Sequence, residues 1–107
     1  MNNIPRNVEK FVVIYDIAAD DTNSWGSESS RRRAKVSRIL LEYGIRTQKS
    51  VFELEAPSDK IKKIAGLLAK HINLKKDRIY IYPIEGKVVK KIHRIGRDLK
   101  LLKHVFI

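Results

Sequence analysis

The chain is predicted to be an α+β protein in which two helices cover one face of an antiparallel sheet. Three observations predict it. Residues 11–17, FVVIYDI, form a β-branched and aromatic run too short for a good helix. Two stretches, from Ser30 and from Pro57, carry apolar residues at helical spacing. Strand-like runs follow each helix, at 45–55 and at 78–84.

The first run reads as a buried strand. Phe11, Val13, Tyr15 and Ile17 fall on one side, and Val12, Ile14 and Asp16 on the other. The next stretch is rich in Asp, Ser, Asn and Gly, whose side chains compete for backbone hydrogen bonds, so residues 18–29 read as a mobile loop. From Ser30, Val36, Ile39, Leu40 and Tyr43 share a helical face while Arg31, Arg32, Lys35 and Arg38 take the rest. Gly44 suits a left-handed cap for that helix.

Residues 45–55, IRTQKSVFELE, alternate without a strong turn pair and allow two short strands or one bent one. Pro57 and Ser58 open the second helix, with Ile61, Ile64, Ala65, Leu68 and Ile72 as its apolar stripe and an expected end near Asn73. RIYIYPI at 78–84 is another strand, with Pro83 near its end or on an edge. The order β-α-β-β-α-β fits the split βαβ, or ferredoxin-like, architecture, read as a single domain over 1–107.

Both faces of the sheet are apolar in this reading, and two helices cover only one. A second copy is the simplest cover for the other, so a face-to-face homodimer is expected. Residues 87–107 are ambiguous. Val88, Ile92, Ile95, Leu99, Leu102 and Phe106 have helical spacing, yet Gly96 interrupts them and KVVKKIHRIG also reads as a basic strand.

Charge points to polyanions. The formal net charge is +11, with 23 Lys and Arg against 12 Asp and Glu, which supports phosphate binding without specifying a base sequence. No apolar run is long enough to span a bilayer, and the start MNNIPRNVEK lacks the core of a signal peptide, so a cytoplasmic protein is expected. With no cysteine, thiol nucleophiles and cysteine-ligated zinc are excluded, which leaves hard metals or histidine chemistry.

Asp16 is the candidate catalytic and metal-binding residue. At the end of an apolar strand Asp16 is expected to be buried, and a buried ionised carboxylate needs a cation, a donor set or a raised pKa; a turn-forming role facing the loop is the plain alternative. In a face-to-face dimer, two-fold symmetry brings both copies of Asp16 together, where Mg²⁺ or Mn²⁺ relieves their repulsion. Arg31, Arg32 and Arg33 stand in the first helical turn, where the dipole gives cations no gain; either they form a solvated face or they clamp phosphate beside Asp16. Lys35 and Arg38 extend that group, and Lys87, Lys90, Lys91 and Arg94 form a second one suited to tracking a nucleic-acid backbone. His71, His93 and His104 lack ligand or triad spacing. Trp25 either stacks on a base or packs on its own core.

VVIYDI followed by RRRAKVSRILLEYGIRTQKSVFELE resembles the signature of the CRISPR-associated protein two family. The residues carrying the likeness are Tyr15, Asp16, Arg31, Arg32, Lys35, Val36, Leu40, Tyr43, Gly44, Arg46, Gln48, Ser50, Val51, Phe52 and Glu53. The resemblance implies a ferredoxin-like homodimer and a metal site built on two Asp16 residues, one from each protomer. It also implies metal-dependent nuclease activity on RNA or DNA, and a bridging role between integrase subunits when new spacers are captured. It adds Tyr15, Ser50 and Phe52 as possible supporting residues, Ser50 and Phe52 also reading as structural. It further implies that KIHRIG belongs to a final strand, over 88–95, lying against the partner protomer, with 97–107 left open. The loop at 18–29, with Asp20, Asp21, Trp25 and Glu28, is longer than the family pattern. A competing reading, an RNA-binding module with an open aromatic sheet face, requires a monomer.

Overall fold

The computed structural model describes residues 8–19 and 27–97. Among these residues, four strands and three helices run in the order β1 Val8–Asp16, α1 Glu28–Leu41, β2 Gly44–Gln48, β3 Val51–Pro57, α2 Ser58–Lys70, β4 Arg78–Ile84 and α3 Gly86–Val89. The strands pair antiparallel in the spatial order β2-β3-β1-β4. Apolar β1 takes the centre, and β4 with its Pro83 takes an edge, where a missing amide donor costs little.

The core forms where the helices meet one sheet face. Phe11, Val13, Tyr15 and Ile17 bury there with Phe52, Leu54 and Ala56 from β3, against Val36, Ile39 and Leu40 of α1 and Ile64 and Leu68 of α2. The alternation read in β1 is therefore the partition between its two faces. Ile61 of α2 and Ile72, just past its end, pack at the margin of the core, while Ala65 is exposed.

The opposite face carries no helix among the described residues. By register it presents Val12, Ile14 and Asp16 from β1, Val51 and Glu53 from β3, and Arg78, Tyr80 and Tyr82 from β4. Ile14, Tyr80 and Tyr82 are exposed, and the two tyrosine rings meet edge to face at 6.3 Å.

Several expectations are corrected. Helix α1 starts at Glu28, capped by the Ser27 hydroxyl, which accepts from the Ser30 amide, so Arg31–Arg33 lie beyond the first turn. The corner in 45–55 falls at Lys49 and Ser50, between two strands. Gly44 is not a left-handed cap. It opens β2, and a Cβ there would collide with the Glu53 carbonyl, so close approach of β3 requires the glycine. Helix α2 ends at Lys70, short of Asn73. Of the strand expected over 88–95, the part at 88–91 is corrected: Val88 and Val89 belong to α3 and Lys90 and Lys91 to the turn after it, while 92–95 run without a strand partner in this chain among the described residues. With no neighbouring strand to bond, the backbone groups at 88–92 close short helical turns instead. The loop residues 20–26, including Trp25, and residues 98–107 lie outside the described residues.

Candidate active site

Asp16 ends β1 on the helix-free face, opposite Arg78 at the start of β4. Their side chains are 76% and 69% exposed and stand 3.8 Å apart. The expectation of a buried carboxylate is thus corrected for the single chain: Asp16 lies at the strand terminus, where no helix covers it. The strand positions it well nonetheless. The Tyr15 amide donates to the Ser50 carbonyl at 3.1 Å, the Tyr15 ring lies 6.1 Å from that of Phe52, and its hydroxyl donates to the Lys49 carbonyl. Tyr15 and Phe52 are therefore core residues that set the backbone of Asp16, and the half-buried Ser50 contributes a carbonyl to the same end of the sheet.

Asp77, which the sequence reading missed, lies just before Arg78, and its side chain is wholly buried. It accepts from the Ala18 amide at 2.9 Å, the Asn73 amide at 2.7 Å, and Arg32 Nε at 2.7 Å, with Arg32 Nη2 at 3.3 Å. Arg32 Nη2 also donates to the Ala18 carbonyl at 3.3 Å. Burial opposes ionisation of Asp77, but the Asn73, Arg32 and Ala18 hydrogen bonds and the Arg32 charge outweigh it and hold the carboxyl below its ordinary pKa. Asn73, Lys75, Lys76 and Asp77 gave one signal for this, a turn acid beside a strand. Nothing in the sequence paired it with an arginine 45 positions away.

The basic residues separate into distinct places. Arg31, Lys35 and Arg38 line a shallow cleft of about 500 Å³ along α1, together with Arg32, Glu28 and His71, which follows α2. Arg32 is drawn inward by Asp77, and Arg33 donates to the Ser29 hydroxyl at 3.5 Å outside that cleft. Lys87 lies in α3, which follows the end of β4 remote from Asp16, and Lys90 and Lys91 are exposed in the turn after α3. Lys87 pairs with Glu85 at 3.4 Å. Arg94 returns over the helix-free face and holds Glu53.

The described residues of one chain supply a hard carboxylate but no complete metal site. Among the described residues, no group of three or more His, Asp or Glu could hold an ion. The exposed oxygens of Asp16 suit Mg²⁺ or Mn²⁺ as one part of a donor set completed by water and a second carboxylate.

A family model described as CRISPR associated protein Cas2 matches residues 9–92. The chain belongs to this family. It is 37% identical over 76 residues to the CRISPR-associated endoribonuclease Cas2 4 of Rhodospirillum rubrum, covering 71% of this chain and 53% of that protein. The chain thus spans about half the length of that Cas2 relative. The CRISPR-associated endoribonuclease Cas2 3 of Synechocystis is 30% identical over 82 residues, covering 77% of this chain and 78% of that one. The crystal structure of Streptococcus pyogenes Cas2 superposes with a TM-score of 0.69 at 25% identity, covering 81% of this chain and 99% of that one. The Cas2 fold is ferredoxin-like, as the element order predicted. No helix among the described residues is long and apolar enough to cross a membrane.

Proposed function

We propose that this Cas2-family chain acts as a homodimeric, divalent-metal-dependent endonuclease on RNA or DNA, and as the dimeric component of a spacer-acquisition complex with an integrase subunit. One observation carries the reading: Asp16 stands exposed at the end of β1, beside Arg78, on the sheet face that also exposes Ile14, Tyr80 and Tyr82. Covering that apolar face with a second copy brings a second carboxylate to the same surface. The endoribonuclease names of its relatives agree with this chemistry.

In this reading Asp16 from each protomer holds the ion. When bound, Mg²⁺ or Mn²⁺ supplies Lewis acidity toward a phosphate oxygen and toward water. Arg78 presents a guanidinium where charge builds on the scissile phosphate. The Tyr15–Ser50 backbone bond fixes the strand that carries Asp16, and Arg31, Lys35 and Arg38 attract the backbone of the substrate.

The test is cleavage of labelled single-stranded RNA and duplex DNA with Mg²⁺ or with chelator. Divalent-dependent cleavage that disappears in Asp16→Asn supports the reading, and full activity in that variant overturns it.

A second reading, a non-catalytic DNA-bridging adaptor for the integrase, is favoured by the lone carboxylate, engaged by Arg78 with no acid cluster around it among the described residues. Spacer acquisition in cells carrying Asp16→Asn separates the two. Undiminished acquisition supports the adaptor, and its loss supports the nuclease.

A further inference from the structure

We infer that Asp77 and Arg32 form a buried clamp that positions Asp16 and Arg78, so that both members of the clamp are positioning residues for the site. The inference rests on the proposed reading only for its catalytic consequence.

Three segments meet at the carboxyl end of β1: the chain leaving Asp16, helix α1, and the turn from α2 into β4. Every bond of the clamp ties one to another or fixes the turn itself. Ala18, two residues beyond Asp16, has its amide held by Asp77 and its carbonyl by Arg32. The Asn73 amide, in the turn, is held by the same carboxylate, and Asp77 itself directly precedes Arg78. Asp16 and Arg78 are the last residue pair of the β1–β4 ladder. Strand ends open first unless something outside the ladder restrains them, and here the restraint is this ion pair.

A buried ion pair is a weak source of stability, because apolar residues of similar volume often do as well. What apolar residues lack is directionality. Asp77 has four donors converging on two oxygens, and the planar guanidinium of Arg32 spans both Asp77 and the Ala18 carbonyl. In an Asp77→Asn variant, either orientation of the new amide turns an NH₂ toward some of those donors.

The experiment uses the whole 107-residue chain in three variants: Asp77→Asn, Arg32→Lys, and Ile64→Val as a core substitution remote from the site. Amide hydrogen exchange is measured at Ile17 and Ala18, with kcat and KM on RNA. For Asp77→Asn, exchange at Ala18 is expected to rise about tenfold beyond any global change seen in Ile64→Val, and kcat to fall about tenfold with KM unchanged. Arg32→Lys keeps the charge, loses the fork, and is expected to show the same pattern in smaller degree. It decides the matter if Asp77→Asn does not fold. Ala18 protection in the folded variants that only follows the global change overturns the clamp. Wild-type protein without cleavage overturns the nuclease reading and leaves the exchange data to decide the clamp. Loosened exchange with kcat unchanged overturns the positioning role.

Discussion

Arg94 grips Glu53 through two hydrogen bonds, 2.8 Å and 3.0 Å long, on the sheet face that the helices leave open. Glu53 is only 6% exposed although no helix covers it. The segment after α3 therefore folds back over β3, and a basic residue expected to track nucleic acid is committed to a carboxylate of its own chain. Arg94→Ala is expected to lower stability by about 2 kcal/mol, since it leaves a largely buried carboxylate without its donor. It should leave the salt dependence of nucleic-acid binding nearly unchanged. Thermal melts and binding titrations on the same variant check both.

The cleft on α1 behaves differently. Charge reversal at Arg31, Lys35 and Arg38 removes cations that face solvent together. Each phosphate contact contributes a slope of about 0.7–0.9 to the dependence of log K on log salt. The triple variant is expected to bind RNA or DNA more weakly and to reduce that slope by about 2 per protomer, measured by anisotropy across a salt series.

Dimer formation should depend on the open face. Ile14 lies between Val51 and Tyr80 there and is exposed in the single chain. Ile14→Glu places a charge where a second copy would bury it. Light scattering is expected to report one-chain mass for this variant and two-chain mass for the wild type, with the melting temperature of the protomer core little changed.

Asp77 gives stability a signature in acid. Its folded-state pKa lies below the unfolded value of about 3.9, so its contribution is fully present above that value and is lost as pH falls through the folded pKa. Asp77→Asn is therefore expected to be less stable than wild type at neutral pH. The gap should close progressively below about pH 4, as melting temperatures at a series of pH values will show. A gap that stays constant into strong acid would contradict the assignment.

Much of this was legible in the sequence because it depends on local pattern. Alternation in β1 separated Phe11, Val13 and Tyr15 from Val12, Ile14 and Asp16, and the registers keep that separation. Helix faces in α1 followed from Val36, Ile39 and Leu40. What escaped depends on partners distant in sequence. The pairing of Asp77 with Arg32, and of Glu53 with Arg94, is set by how the elements stack, and composition does not encode that. Gly44 was misread because a glycine after a helix usually marks a left-handed cap, whereas here the carbonyl of Glu53 demands the missing Cβ. The segment 88–95 was assigned a strand against the partner protomer, but its first residues, 88–91, take helical and turn bonds within their own chain.

The central claim is that two chains meet through the helix-free face and bring their Asp16 carboxylates to one ion. A crystal structure grown with Mn²⁺, with the ion placed by anomalous scattering, tests it most directly. The account predicts a two-fold axis through that face and one ion bound between the two Asp16 side chains, at oxygen distances of about 2.1 Å. Two carboxylates on opposite outer sides of the assembly, too far apart to share an ion, would contradict it.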